Sequence, residues 1–147
     1  MAQTSANVTI EVSAAEPATY DSTGFAALTF TKVGGVMSVG AFGGQAELIT
    51  YDLLDERVTK KLKGTINYGQ IQLEMVLETA DAGQLLIEAG ALGAAIDTIH
   101  SFKVTLNDGT VNYFTGVIMG FEKNVGAANN VVSVTSNIEL DNAVVTV

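Results

Sequence analysis

The sequence predicts a mainly β fold with a single helix, and three observations predict it. Alternation of apolar and polar residues with a period of two recurs along most of the chain. Only one stretch, around Leu85, Ala89, Leu92 and Ile96, switches to helical spacing. Glycine-rich or Asp-Gly punctuation separates the alternating runs, as turns between strands require. At 147 residues the chain suits one domain, and a domain of this length buries roughly 68–70% of its unfolded surface on folding.

Val8 to Val12 alternates briefly and is expected as a short strand within an N-terminal arm, residues 1–23. Ala14 to Ser22 holds the only proline, Pro17, and reads as a mobile part of that arm. A β domain is expected over residues 24–147. Phe25 to Val33 and Val36 to Phe42 are β-rich runs, and Gly34-Gly35, a pair that tolerates positive φ, would join them as a tight hairpin. Gly40, Gly43 and Gly44 mark a bend before a strand at Glu47 to Tyr51. Residues 52–65 then read as a long polar loop, and loops of that length are commonly functional or disordered. Four of the seven basic residues, Arg57, Lys60, Lys61 and Lys63, fall here, beside Asp55 and Glu56, in a chain of formal net charge -9.

Ile66 to Glu78 resumes the alternation, with Gln70, Gln72, Glu74 and Glu78 on one face and Ile71, Leu73, Met75 and Leu77 on the other. The helix is expected at about 82–91, with Asp81 as N-cap, Gln84 at capping-box spacing, and Gly90 and Gly93 at its end. Asp108-Gly109 lies between two alternating runs, the strongest short-range hairpin signal. As a two-residue turn it pairs Thr105 with Asn112, Lys103 with Phe114 and Ser101 with Gly116, putting Phe102, Val104, Val111, Tyr113 and Val117 on one apolar side. A slip of one residue would destroy that match. Val131 to Leu140 sets Ser133, Thr135, Asn137 and Glu139 against Val132, Val134, Ile138 and Leu140, and Val144 to Val147 adds a last short strand.

Composition narrows the chemistry. Without cysteine there are no disulfides, thiolate zinc sites or cysteine nucleophiles. The N-terminus has no signal-like apolar core, and no run of about 18 apolar residues exists to span a bilayer, so no membrane binding is expected. Charged residues are 16% of the chain, against about 25% in typical soluble domains, which points to an assembly that buries much of its exterior. The excess of 16 acidic over 7 basic residues argues against tight nucleic-acid binding.

His100, the only histidine, shares the apolar side of its run with Phe102 and Val104 and reads as a partly buried, satisfied imidazole. A Ser-His-Asp triad would need it, and no Gly-Xaa-Ser-Xaa-Gly elbow accompanies it. Lys63-Gly64-Thr65 lacks the upstream glycine of a phosphate loop. Asp52, Asp55 and Glu56 lack the spacing of a calcium loop, and Glu74 with Glu78 lacks an aromatic platform for sugars. No catalytic residue, cofactor or metal site is therefore expected. Structural self-assembly and a binding module remain.

The order of parts carries a resemblance. A hairpin, Phe42-Gly43-Gly44, a strand, a basic loop ending Lys61-Leu62-Lys63-Gly64-Thr65, a strand entered through Tyr68-Gly69, one helix, the hairpin Phe102 to Phe121 and a final alternating strand resemble the major tail tube proteins of long-tailed, siphovirus-type bacteriophages. The likeness spans Gly24 to Val147 and rests on the whole arrangement; the family's pattern has an aspartate before Tyr-Gly, where this chain has Asn67.

The resemblance implies a β-sandwich or half-barrel with one flanking helix, six copies of which form a ring whose inner strands close one barrel. Stacked rings would conduct DNA into the host. Implied partners are further copies of this chain, tape measure, tail terminator and tail-tip proteins, and double-stranded DNA in non-specific transit. The implied location is the virion tail, assembled in the bacterial host cytoplasm. Contractile tails and type VI secretion devices share the tube fold and form the alternative. A monomeric β-sandwich binding module is a further one, though no Trp and only four Tyr are present for an aromatic binding patch.

Under this reading Asp55, Glu56, Arg57, Lys60, Lys61 and Lys63 form an inter-subunit or inter-ring loop whose positive charge meets an acidic sister surface. Gln70, Gln72, Glu74, Ser133, Thr135, Asn137 and Glu139 are the lumen candidates. The hairpin Ser101 to Asn112 is the second choice, with Lys103 its awkward member.

Overall fold

The computed structural model describes residues 2–147. In chain order the elements are β1 (Thr9–Ser13), α1 (Ser22–Ala26), β2 (Thr31–Lys32), β3 (Val36–Val39), β4 (Gln45–Tyr51), β5 (Lys60–Asn67), β6 (Gln70–Val76), α2 (Ala82–Leu92), β7 (His100–Thr105), β8 (Val111–Asn124), β9 (Ser133–Leu140) and β10 (Val145–Thr146). One antiparallel sheet runs β2-β1-β7-β8-β9-β6-β3, with β10 also on β8, while β4 and β5 pair only with each other. The mainly β fold with a flanking helix is as the alternation predicts.

Alternate residues of the large sheet build the core: Ile10 and Val12, Phe102 and Val104, Phe114 and Ile118, Val134 and Ile138, and Ile71, Leu73 and Met75 are all buried. Phe114 stacks on Phe102 across the β7–β8 ladder with ring centroids 5.3 Å apart, and Phe42 also stacks on Phe114, at 5.7 Å. Ile87 and Ala91 of α2 complete this core. Deleting one such aromatic ring costs about 3–5 kcal/mol.

Asp81 caps α2 as expected, accepting from Gln84 N–H at 3.0 Å. Gln84 does not return the bond as a capping box would. Its buried amide accepts from Glu78 N–H at 3.0 Å and donates to the carbonyls of Gly34 and Val76, both at 2.8 Å. These bonds, with Gly34 N–H donating to Asp81 at 3.0 Å, tie the Gly34-Gly35 segment to the start of α2. The expected hairpin at Gly34-Gly35 is therefore absent: β2 pairs with β1 and β3 with β6, and the glycines form a crossover.

The segment before β2 also differs from expectation. Phe25 begins no strand, because Asp21 accepts from Gly24 N–H at 2.7 Å and starts the short helix α1, a second helix the spacing did not signal. Phe25 is buried and stacks on Tyr113 at 5.1 Å, while Phe30 lies 5.9 Å from the same ring. The stretch expected to be mobile, Ala14 to Ser22, is tied down: Ala15 accepts from Ser101 Oγ of β7 at 2.6 Å, and the Tyr20 ring packs edge-on against Phe25 at 5.1 Å. The short strand expected in the N-terminal arm is β1, held between β2 and β7.

The β7–β8 hairpin forms at Asp108-Gly109, shifted by one residue from the expected pairing. Thr105 faces Val111, Lys103 faces Tyr113, Phe102 faces Phe114 and Ser101 faces Thr115. Asn107 to Gly109 make a three-residue loop closed by Leu106 N–H donating to Thr110 O at 2.8 Å, with Gly109 at φ +91°. Pairing Phe102 with Phe114 buries two rings that the two-residue turn would have set on opposite faces. Tyr113 and Val111 accordingly turn away from the core, where α1 shelters Tyr113.

Candidate functional site: two assembly surfaces

The first surface is the polar face of β6 and β9. Their ladder sets Gln70 opposite Glu139, Gln72 opposite Asn137, Glu74 opposite Thr135 and Val76 opposite Ser133. Because Ile71, Leu73, Met75, Val134, Ser136 and Ile138 are pulled inward, all seven lumen candidates share one face. Gln70, Gln72, Glu74 and Glu139 are exposed, and Ser133, Thr135 and Asn137 half-buried. The face extends beyond them. Ser38 of β3 donates to Glu74 at 3.2 Å, and β8 adds Val117 before a bulge between Ile118 and Gly120, and Glu122 and Asn124 after it. Among the described residues no lysine or arginine lies on the β3–β6–β9–β8 part of this face; the same side of the sheet carries Lys103 and Lys32 farther on, on β7 and β2.

The second-choice hairpin presents no such surface. Ser101 and Asn112 are buried, the latter accepting from Thr146 Oγ at 2.8 Å. Lys103 is tied to Glu11 at 3.4 Å across the β1–β7 ladder.

The second surface is the β4–β5 hairpin. Residues 52–65 are not one loop: only residues 52–59 are irregular, and Lys60, Lys61 and Lys63 lie in β5. Tyr51 faces Lys60, Thr50 faces Lys61, Ile49 faces Leu62 and Leu48 faces Lys63. The expected strand Ile66 to Glu78 is likewise two strands, broken at Tyr68-Gly69, where Gly69 has φ +76° and donates its N–H to Asn67 Oδ1 at 2.8 Å. Asn67 thus supplies the acceptor that an aspartate would. At the same bend a Cβ on Gly44 would meet the Tyr68 ring at 2.7 Å, so the ring seats against bare backbone.

Both faces of this ribbon are exposed, and both are partly apolar: Ile49, Tyr51 and Leu62 on one, Leu48 and Ile66 on the other. At the tip Glu56 N–H donates to Leu53 O at 3.3 Å, a β-turn that leaves Leu54 fully exposed. Lys60 pairs with Glu56 at 2.7 Å, while Arg57, Lys61 and Lys63 have no ion pair among the described residues. Over residues 45–67 four basic side chains meet four acidic ones, so the formal net charge of -9 belongs to the rest of the chain. Sequence reading found the charge here and missed the apolar faces, because Lys60 and Gly64 flank Leu62 on its own face and a bulge precedes Ile66, so no sustained alternation shows.

His100 is fully buried beneath α2, with Nδ1 3.1 Å from Thr98 O and Nε2 without a hydrogen-bond partner. The imidazole is thus only half satisfied, in contrast to the expectation, and burial pushes its pKa down. Among the described residues no three His, Asp or Glu side chains come together to hold a metal ion.

No family model matches the sequence, and neither does any curated protein. Solved structures do. A chain of the native gene transfer agent (GTA) virion is 16% identical with a TM-score of 0.67, the match covering 99% of both chains. A chain from the tail of an empty GTA particle, refined with helical and C6 symmetry, is 16% identical with a TM-score of 0.68 and the same coverage. A chain of the PVC extracellular contractile injection system, from its sheath/tube terminator in the extended state, is 12% identical with a TM-score of 0.70, covering 100% of this chain and 97% of that one. At such identities the likeness is one of fold: over its whole length this chain has the mainly β architecture of chains in GTA tails and contractile injection systems.

Proposed function

We propose that this chain is the structural subunit of a phage-type tail tube, in which six copies close a ring, rings stack, and the β3–β6–β9–β8 face lines the channel. The observation that carries this reading is the absence of any cation from that broad polar face in a chain with the fold of tail components. Duplex DNA carries one phosphate charge per ~1.7 Å, and every cationic contact adds salt-sensitive attraction, so a lining of Ser, Thr, Asn, Gln and Glu lets it slide. The C6 symmetry of the similar GTA tail supports six copies per ring. Ring closure would also cover the free edges of β2 and β3, which an isolated subunit leaves open to aggregation. The hairpin cations Arg57, Lys61 and Lys63 would meet the acidic body of a sister chain.

In this role the chain does no catalysis. Its partners are its own copies, a tape measure protein within, terminator and tip proteins at the ends, and DNA in transit, all in a virion tail assembled in the host cytoplasm. The likeness to the PVC chain supports a second reading, the inner tube of a contractile device. A sheath gene beside this one would select it.

The lining is tested by Glu74→Lys with Asn137→Lys. The double variant should still form tubes but retain short duplex DNA in low salt and release it in high salt. Tubes that hold no more DNA than the wild type would place this face elsewhere.

A further inference from the structure

Outside the polar face and the hairpin, an apolar groove of about 400 Å³ runs along the free edge of β3. It is lined by Val8, Val36, Val39, Phe42, Val104 and Leu106. Five of these are only partly buried, although they pack against the core. The groove exists because β3 pairs with β6 alone, so the sheet stays unclosed between β3 and the β1–β7 side. None of its lining residues belongs to the hairpin tip. Its size falls within the ~300–1,000 Å³ of sites that take up a compact apolar group.

The same chain carries an apolar group with nothing to cover it. Leu53 and Leu54 sit at the β-turn of the hairpin tip, Leu54 fully exposed, with Asp52 and Asp55 on either side. Charge completes the match. Of the three cations outside the hairpin, Lys103 is held by Glu11 and Lys123 lies 4.0 Å from Glu88, whereas Lys32 has no ion pair among the described residues. Lys32 lines an adjoining cavity that shares Val8 and Val36 with the groove.

We infer that the hairpin tip of one copy docks in the β3-edge groove of a neighbouring copy, Leu53 and Leu54 entering between Val36 and Leu106 while Asp52 or Asp55 meets Lys32. This rests on the self-assembly proposed above and names the receiving surface. Donor and receiver lie on different parts of one chain, so the contact is heterologous and repeats from copy to copy, as a growing tube needs. Burying even one leucine side chain is worth at least a factor of ten in an association constant. The stem cations are left to meet acidic groups elsewhere on the sister chain.

The chain has no cysteine, which makes the test clean. Leu54→Cys combined with Met37→Cys, at the groove's lip, should form a disulfide-linked ladder on mild oxidation of purified protein. Leu54→Cys with Leu92→Cys, exposed at the end of α2, should not. Lys32→Glu should raise the concentration needed for assembly severalfold, and adding Asp55→Lys should restore it. No ladder with Met37→Cys, or an equal ladder with Leu92→Cys, overturns the docking. Electron micrographs of the same samples separate the two readings: tubes without a ladder sink only the groove, while a lasting monomer sinks self-assembly as well.

Discussion

At the scale of single residues, α2 meets the sheet through small or fully engaged side chains. Gly90 is the sharpest case. Helix propensity alone favours Ala over Gly by about 1 kcal/mol. A Cβ at position 90, however, would lie 2.6 Å from His100 Cε1 and 2.8 Å from Ile118 Cδ1. Overpacking of this kind costs about 1–3 kcal/mol, so Gly90→Ala should lower the denaturant midpoint despite the better helix former. A raised midpoint would show that α2 sits more loosely than described. His100 sets a pH dependence of known sign. Its folded pKa lies below the ordinary 6.5, so the unfolded chain takes up the proton first as pH falls. Stability is then complete above the unfolded pKa and drains away below it. Urea titrations should show stability declining from pH 7 toward pH 5, with that decline reduced in His100→Leu; identical slopes would contradict the assignment. The N-cap at Asp81 was legible because capping is local. The roles of Gln84 and Gly90 were not, since their partners on Gly34, Val76, His100 and Ile118 come from distant parts of the chain.

At the scale of elements, the two hairpins show what alternation can and cannot tell. Asp108-Gly109 marked the β7–β8 turn, but a two-residue and a three-residue loop differ by one step of register. The choice fell to Phe102 against Phe114, a packing energy that no local pattern contains. In the β4–β5 ribbon, Lys60 and Gly64 beside Leu62 hid a strand whose ladder partner is β4 alone. A lone two-stranded ribbon is marginal in water, so its stability is expected to come from neighbours. Removing residues 46–66 and joining Gln45 to Asn67 through Asn-Gly should therefore shift the thermal midpoint by no more than about 3 °C, equivalent to ~1 kcal/mol, while abolishing assembly. The triple reversal of Lys60, Lys61 and Lys63 to Glu should likewise block tube growth and leave the circular dichroism spectrum unchanged. Tubes from either variant would remove the hairpin from the assembly mechanism.

At the scale of the molecule, the mainly β architecture and the shared face of the seven polar candidates were legible for one reason: β6 and β9 each keep strict period two, and their register aligns the polar sets. The edge order was not legible, since β1 enters between β2 and β7 and Gly34-Gly35 crosses where a hairpin was expected. The completed fold leaves the β2 and β3 edges of the large sheet free, with an apolar groove and the two-stranded β4–β5 ribbon on a charge-poor acidic body. Each is a liability in a monomer that the proposed ring would cover. The central claim, that this chain assembles itself into a channelled tube, is met most directly by negative-stain imaging of the purified protein across a concentration series. The account predicts sixfold rings or stacked tubes with an open central channel. A protein that stays monomeric at the highest soluble concentration, or that forms sheets or solid fibres without a channel, would contradict it.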